Sequence, residues 1–199
     1  MKKTILTLVT ICLALLANAQ DINLPAAQRT GGKPFMETVN ERRSERSFVK
    51  QEMQPQMLSN LLWAANGFNR EDKRTVPTAM NRQEMELYVV FDNAAYFYDA
   101  RNNVLKLVAE GDLRAGLGQP QITNNAALTI VMVADLDKSS RESAGVSTGY
   151  ISQNIYLFAA SEGLGTVARG SFNGDELATV LELTDKQAIT LVQPVGFLE

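Results

Sequence analysis

The sequence predicts an α+β fold, a central and mainly antiparallel sheet flanked by helices. Three observations carry that. Segments of period two and segments of helical period are mixed along the chain rather than alternating one for one. Two strand-like runs, 95–99 and 104–108, are joined only by Ala100-Arg101-Asn102-Asn103, the length and chemistry of a hairpin turn. One long helical pattern, 148–162, offers a single apolar face to a sheet. With 199 residues, 45% of them hydrophobic, the chain can bury one sizeable core. Its formal charge of −3 argues against a nucleic-acid binder, which needs a basic surface.

The elements follow in order. MKKTILTLVTICLALLANAQ has two lysines, an apolar run over 5–17 and then Ala17-Asn18-Ala19, the layout of a secretory signal peptide. The run is too short for a stable membrane span, so residues 1–19 are expected to be cleaved off and the protein exported, to the periplasm. Residues 20–34 (QDINLPAAQRTGGKP) lack periodicity and read as a linker or arm, with the folded domain over 35–199. Residues 36–43 read as a short helix. In 55–66, Met57, Leu58, Leu61, Leu62 and Ala65 fall at helical spacing and Gly67 closes the run. Residues 70–82 are polar, contain Pro77 and read as a long loop. ELYVVF at 86–91 reads as a strand, and 112–117 as a short helix. ALTIVMVA at 127–134 is apolar almost throughout, as a doubly covered strand should be. In 148–162, Ile151, Ile155, Phe158 and Ala159 share a face, and Gly163 ends the helix. A glycine-rich turn, a helix over 175–183 and a strand over 188–195 complete the chain.

Residue types narrow the chemistry. There is no histidine, and the one cysteine, Cys12, leaves with the signal segment. Ser-His-Asp catalysis, thiol chemistry and most zinc sites are thereby excluded, and no metal site is expected. Losing Lys2 and Lys3 takes the formal charge from −3 to −5. Catalysis would rest on an organic cofactor, or on carboxylates, arginines and backbone groups.

Four stretches could carry it. Arg42-Arg43-Ser44-Glu45-Arg46 reads alone as a solvated face, or as a cradle for a phosphate, which guanidinium forks bind in pairs. In an extended backbone Arg42, Ser44 and Arg46 would share one side, with Arg43 and Glu45 on the other. In VPTAMNRQEMELYVV (76–90), Pro77 and Thr78 stiffen a loop whose Asn81 and Gln83 amides can match a heterocycle edge; otherwise it is a polar turn before a strand. GYISQN (149–154) places amides on the long helix, as a site or as a helix contact. GLGTVARGSFN (163–173) has three glycines that allow close backbone approach.

In this order the stretches resemble the nitroreductase family of FMN-dependent oxidoreductases. Within it, the chain is most similar to the thiazole/oxazole-forming peptide dehydrogenases. RRSERSF, LLWAANG, VPTAMNRQEMELYVV, QNIYLFAASEGLGTVARGSF and QPVGFLE carry the likeness, over nearly all of 35–199. The resemblance implies a domain-intertwined homodimer with FMN in two interfacial clefts. Arg42, Ser44 and Arg46 would meet its phosphate, ribityl and pyrimidine portions, with Arg43 contributing mainly backbone. Pro77, Thr78, Ala79 and Asn81 match the loop lent to the partner's flavin. Gln119 matches a flavin-contacting amide, with Gln121 as a competing alignment. Val167, Ala168, Arg169 and Gly170 match the backbone beside the flavin N5. Arg169 would favour an anionic reduced flavin if its side chain reaches the ring; otherwise it is a surface ion pair.

The implied activity is two-electron transfer through bound flavin between a small-molecule donor and a small organic acceptor. The chain ends Gly196-Phe197-Leu198-Glu199, without the basic residues many relatives carry there, so the phosphate would rely on Arg42 and Arg46. Nicotinamide donors are not normally available to an exported protein. A non-catalytic flavin or small-ligand binding protein on the same fold is the alternative, and a peptide-modifying dehydrogenase a third.

Overall fold

The computed structural model describes residues 20–199, so the signal segment expected over 1–19 lies outside the described residues. Along the chain run β1 (Ile22–Asn23), α1 (Phe35–Glu41), α2 (Pro55–Asn66), β2 (Phe68–Arg70), β3 (Lys73–Arg74), β4 (Met85–Val90), β5 (Ala94–Asp99) and β6 (Val104–Glu110). There follow α3 (Pro120–Thr123), β7 (Leu128–Asp135), α4 (Arg141–Glu162), β8 (Leu164–Thr166), α5 (Gly174–Val180) and β9 (Gln187–Phe197). Single 3₁₀ turns occupy Ala79–Asn81 and Arg114–Leu117. Seven strands form one antiparallel sheet in the order β1-β6-β5-β4-β7-β9-β8, and β2 and β3 form a separate hairpin.

The apolar run that becomes β7 sits mid-sheet, and every residue from Leu128 to Ala134 is buried. Its side chains alternate between two cores. Ile130 and Met132 face α2 and α4 with Leu61, Leu62, Ile151 and Ile155. Val131 and Val133 face the other side with Leu117, Leu177 and Val192. Burying each such side chain is worth about 1.5–3 kcal/mol, so the doubly covered strand anchors the sheet. Helix α2 begins with Pro55, whose missing N–H costs nothing in a first turn, and closes with Gly67 N–H donating to Trp63 O at 2.8 Å.

Four expectations change. The long helix begins at Arg141, seven residues before the expected start, with Ser140 Oγ accepting from Ser143 N at 3.3 Å. Its first two turns bury only small residues, Ala144 and Ser147, and so show no apolar stripe. The polar loop over 70–82 is part hairpin and part 3₁₀ turn. The glycine-rich stretch contains β8, which pairs with the last strand. The 20–34 arm is extended but packs on the body: Ile22 pairs with Leu105, and Pro25 O accepts from Ser59 Oγ at 2.6 Å and Asn103 Nδ2 at 2.8 Å.

Candidate functional site

Past α1 the chain has no regular element through the arginine cluster, and its less exposed positions are Arg42, Glu45 and Phe48, three apart. Arg42 lays its guanidinium 5.0 Å from the ring centroid of Tyr156, and Ser44 Oγ lies 2.8 Å from the Tyr156 hydroxyl. Arg43 and Glu45 form an ion pair and line a cavity of about 370 Å³ that Tyr156 lines as well. Glu45 holds Arg43 charged by a hydrogen bond to its guanidinium, pushing that group's pKa up. Arg46 is exposed and makes no hydrogen bond or ion pair among the described residues.

Backbone fixes this segment in place. Glu45 N–H donates to Thr166 O at 2.9 Å and Val49 N–H to Phe197 O at 3.0 Å. Between them Phe48 rests against Gly165 and Gly196, which are paired across β8 and β9. A Cβ at Gly165 would stand 3.0 Å from the Phe48 ring, and one at Gly196 would stand 3.1 Å from it. The glycines are there because the ring lies where side chains would be.

Tyr156, from the second half of α4, is the junction. Its hydroxyl accepts from Ala168 N–H at 2.9 Å while meeting Ser44, so the arginine segment and the 167–170 turn share one side chain. Val167 is buried, whereas Gly170 is exposed with its N–H unpartnered among the described residues.

Arg169 is not the surface ion pair that is one of its two readings. Its backbone pairs with Val192 in both directions, at 2.9 and 3.0 Å. Paired residues point to the same face of a sheet, and Val192 faces the core under α5. The guanidinium is therefore buried, 6% exposed, and donates to Leu117 O at 3.2 Å and Ser171 O at 2.9 Å. It has no carboxylate partner, its Nε is unsatisfied, and burial pulls its pKa below the usual arginine range. It is neither a surface ion pair nor turned to the Tyr156 side. It ties the 167–170 turn to the loop before Gln119. Gln119 itself is exposed at the start of α3 in a left-handed conformation, φ 49°, and Gln121 is exposed within α3.

The amide loop is built from within. Thr78 Oγ1 accepts from Gln83 N–H at 3.0 Å, and Asn81 Nδ2 and Gln83 Nε2 both donate to Asp72 O, at 3.1 and 2.8 Å. These amides clamp the loop to the β2–β3 hairpin. Pro77, Thr78 and Ala79 face the first half of α4, around Val146 and Tyr150, across a cavity of about 320 Å³. Val146 precedes Tyr156 by ten residues, roughly 15 Å along the axis at a helical rise. One chain thus joins Arg42, Ser44 and the 167–170 turn, and leaves the Pro77–Asn81 loop apart. Asn154 donates to Ala64 O at 2.9 Å, so that amide is a helix contact with α2. Tyr156 was missed because sequence spacing places it beside the core face of α4 without revealing its contacts over 100 residues away.

The comparisons agree with this architecture. The family model described as "Nitroreductase family" matches residues 39–197. A protein of Methanocaldococcus jannaschii named "Putative nitroreductase" is 25% identical over 91% of this chain and 98% of its own. A crystal structure from Ralstonia eutropha under the same designation is 32% identical, with a TM-score of 0.84 over 91% of this chain and 90% of that one. The Escherichia coli microcin synthetase McbBCD complex with truncated pro-MccB17 bound shares the fold, at 16% identity and a TM-score of 0.70 over 100% of this chain and 85% of that one. Matched over most of its length by the family model, the chain belongs to the nitroreductase family, whose members are generally flavin-dependent oxidoreductases.

Proposed function

We propose that the protein is an exported, FMN-dependent oxidoreductase that works as a homodimer and passes two electrons to a small organic acceptor. The observation that carries this reading is the Tyr156 junction, which sets two open groups, Arg46 and the Gly170 N–H, on segments fixed to each other. The residues present fit an anionic, planar cofactor. Arg42 is held in place by the Tyr156 ring, and Arg46 has no internal carboxylate to satisfy it. Tyr156 accepts from Ala168 N–H and lies 2.8 Å from Ser44 Oγ, where either hydroxyl can donate; when Tyr156 donates, the Ser44 proton is left for a ligand.

FMN, when bound, supplies the two-electron chemistry that a chain without histidine or cysteine in its described part does not. The protein's own share is to hold the phosphate through Arg42 and Arg46 and to present Gly170 backbone beside the ring. The separation of the Pro77–Asn81 loop from Tyr156 supports a cleft completed by a second copy. Export to the periplasm rests on residues 1–19 and predicts a mature chain beginning at Gln20, read by N-terminal sequencing. The electron donor is then a small molecule other than a cytoplasmic nicotinamide.

The test is to purify the mature chain, measure its mass in solution and identify what denaturation releases by mass spectrometry. A yellow dimer releasing FMN is expected. A colourless chain that takes up no FMN would sink the proposal. If bound flavin reduced by dithionite is reoxidised by nitro and quinone acceptors no faster than by oxygen, the fold serves binding alone.

A further inference from the structure

Another cavity, of about 570 Å³, opens where the N-terminal arm crosses the body. Its floor is Leu24, Leu58 and Tyr96, all buried, and Phe91 stands edge-on to Tyr96 with ring centroids 5.8 Å apart. At its rim Lys50 and Asp92 pair at 3.5 Å, so the mouth carries no excess charge there. The volume is that of a small-molecule site. It lies away from the Tyr156 junction. Tyr96 is on β5, four strand spacings from β8, or roughly 19 Å.

Tyr96 sets this cavity apart. Four tyrosines are buried, and buried tyrosine hydroxyls ordinarily find a partner. Tyr98 donates to Asn103 Oδ1, and Tyr156 meets Ser44 and Ala168; Tyr88 and Tyr96 make no such bond among the described residues, and of those two only Tyr96 lines this cavity. Tyr96 is 4% exposed as a residue, but its hydroxyl is not sealed from solvent; it makes no hydrogen bond among the described residues and lines the cavity, so it is open to a ligand. Burial pushes its phenol pKa up, and Glu110 and Asp21 push it further, so the group is a neutral O–H donor at ordinary pH. Asp21 is itself paired with Lys106 at 2.9 Å, so its charge near the phenol is already met. With the floor apolar and the rim pair neutral, the acceptor that fits is an uncharged oxygen.

We propose that this cavity binds a small, neutral aromatic carbonyl compound, its ring on Leu24 and Leu58 and its carbonyl oxygen accepting from Tyr96. The apolar floor receives the ring and the aromatic edge of Phe91 flanks it. The site needs no flavin and stands apart from the reading of the arginine cluster.

The neutral naphthyl ketone Prodan tests it, because its emission moves to the blue in apolar surroundings and back to the red when its carbonyl accepts a hydrogen bond. Titration into the wild-type chain is expected to give saturable, blue-shifted emission. Tyr96→Phe weakens binding by about 2- to 10-fold, the worth of one hydrogen bond, and moves the bound emission further blue. Met53→Trp fills the mouth from the loop before α2, where Met53 is partly buried at the edge of the core, and weakens binding about 10-fold or more. Thermal melts first establish that each variant is folded. Arg46→Ala leaves the probe affinity unchanged even where it abolishes flavin uptake, which separates failure of one site from failure of the other. No saturable binding, or binding that Met53→Trp leaves intact, overturns the site. A Tyr96→Phe variant with unchanged affinity and emission overturns the carbonyl contact.

Discussion

Two groups of arginines flank the sheet, and both use an aromatic ring as a bed. Arg74 and Arg101 lie over Phe68, 4.3 and 3.6 Å from its centroid. Their donors are taken up internally, Arg74 by Asn66 O and Gln83 Oε1, Arg101 by Glu71 O. Arg42 lies over Tyr156 in the same manner, yet Arg46 four residues on has no internal acceptor among the described residues. A ring fixes where a guanidinium sits, and leftover donors decide whether the place is a site. The Phe68 group is closed and holds two hairpins together. The Tyr156 group is open.

Removing the open donor should give the largest effect. Arg46→Ala is expected to raise the FMN Kd about 10- to 100-fold, the worth of a charge-assisted bond, with Tm unchanged. Fluorescence titration of FMN reads this, and an unchanged Kd would break the contrast. Arg74→Ala should do the reverse. It strands Asn66 O and uncovers Phe68, destabilising the fold by about 2 kcal/mol in urea unfolding, with FMN affinity kept. Loss of FMN binding in that variant would show that the closed group also reaches the cleft.

A pH scan sharpens the same comparison. Tyr98 lies near Arg74, and burial pushes its phenol up to about 12. An unfolded tyrosine ionises near ~10. Below that both states keep the proton and stability is full. As pH rises through the folded value, only the unfolded chain has gained from losing the proton, and stability falls. Tyr98→Phe should flatten this alkaline decline, and cost about 1 kcal/mol at neutral pH through the lost Asn103 bond. An equally steep decline in the variant would place its cause elsewhere. The smallest effect belongs to Arg43→Ala. Its exposed ion pair with Glu45 is of the kind that contributes little, so neither Tm nor FMN affinity should change measurably.

What could be read in advance divides along physical lines. Strand β7 and helix α2 declared themselves because burial on both faces, or on one helical stripe, writes a pattern into consecutive residues. The alternation expected of an extended backbone, Arg42, Ser44 and Arg46 against Arg43 and Glu45, is not what burial shows: the less exposed positions are 42, 45 and 48, because contacts with Tyr156 and with β8 and β9 set them. The β2–β3 hairpin did not show, because the Arg101 that covers Phe68 arrives some thirty residues later. Nor did the first half of α4, whose buried positions are small rather than apolar. The burial of Arg169 did not show, because it depends on pairing with Val192, a fact of the sheet and not of its neighbours. The likeness to nitroreductases supplied the loop assignments that spacing could not.

The paired glycines under Phe48 also impose an order in time. Residues 42–48 are among the first of the folded part to be made, but the surface they rest on is β8 and β9, among the last. Until β9 docks, the arginine strand has no bed and Tyr156 only half of its partners. A growing chain therefore carries the residues of its cradle long before it can hold anything in it. On the proposed flavin-binding reading, capture would wait until β9 has docked, at the end of folding.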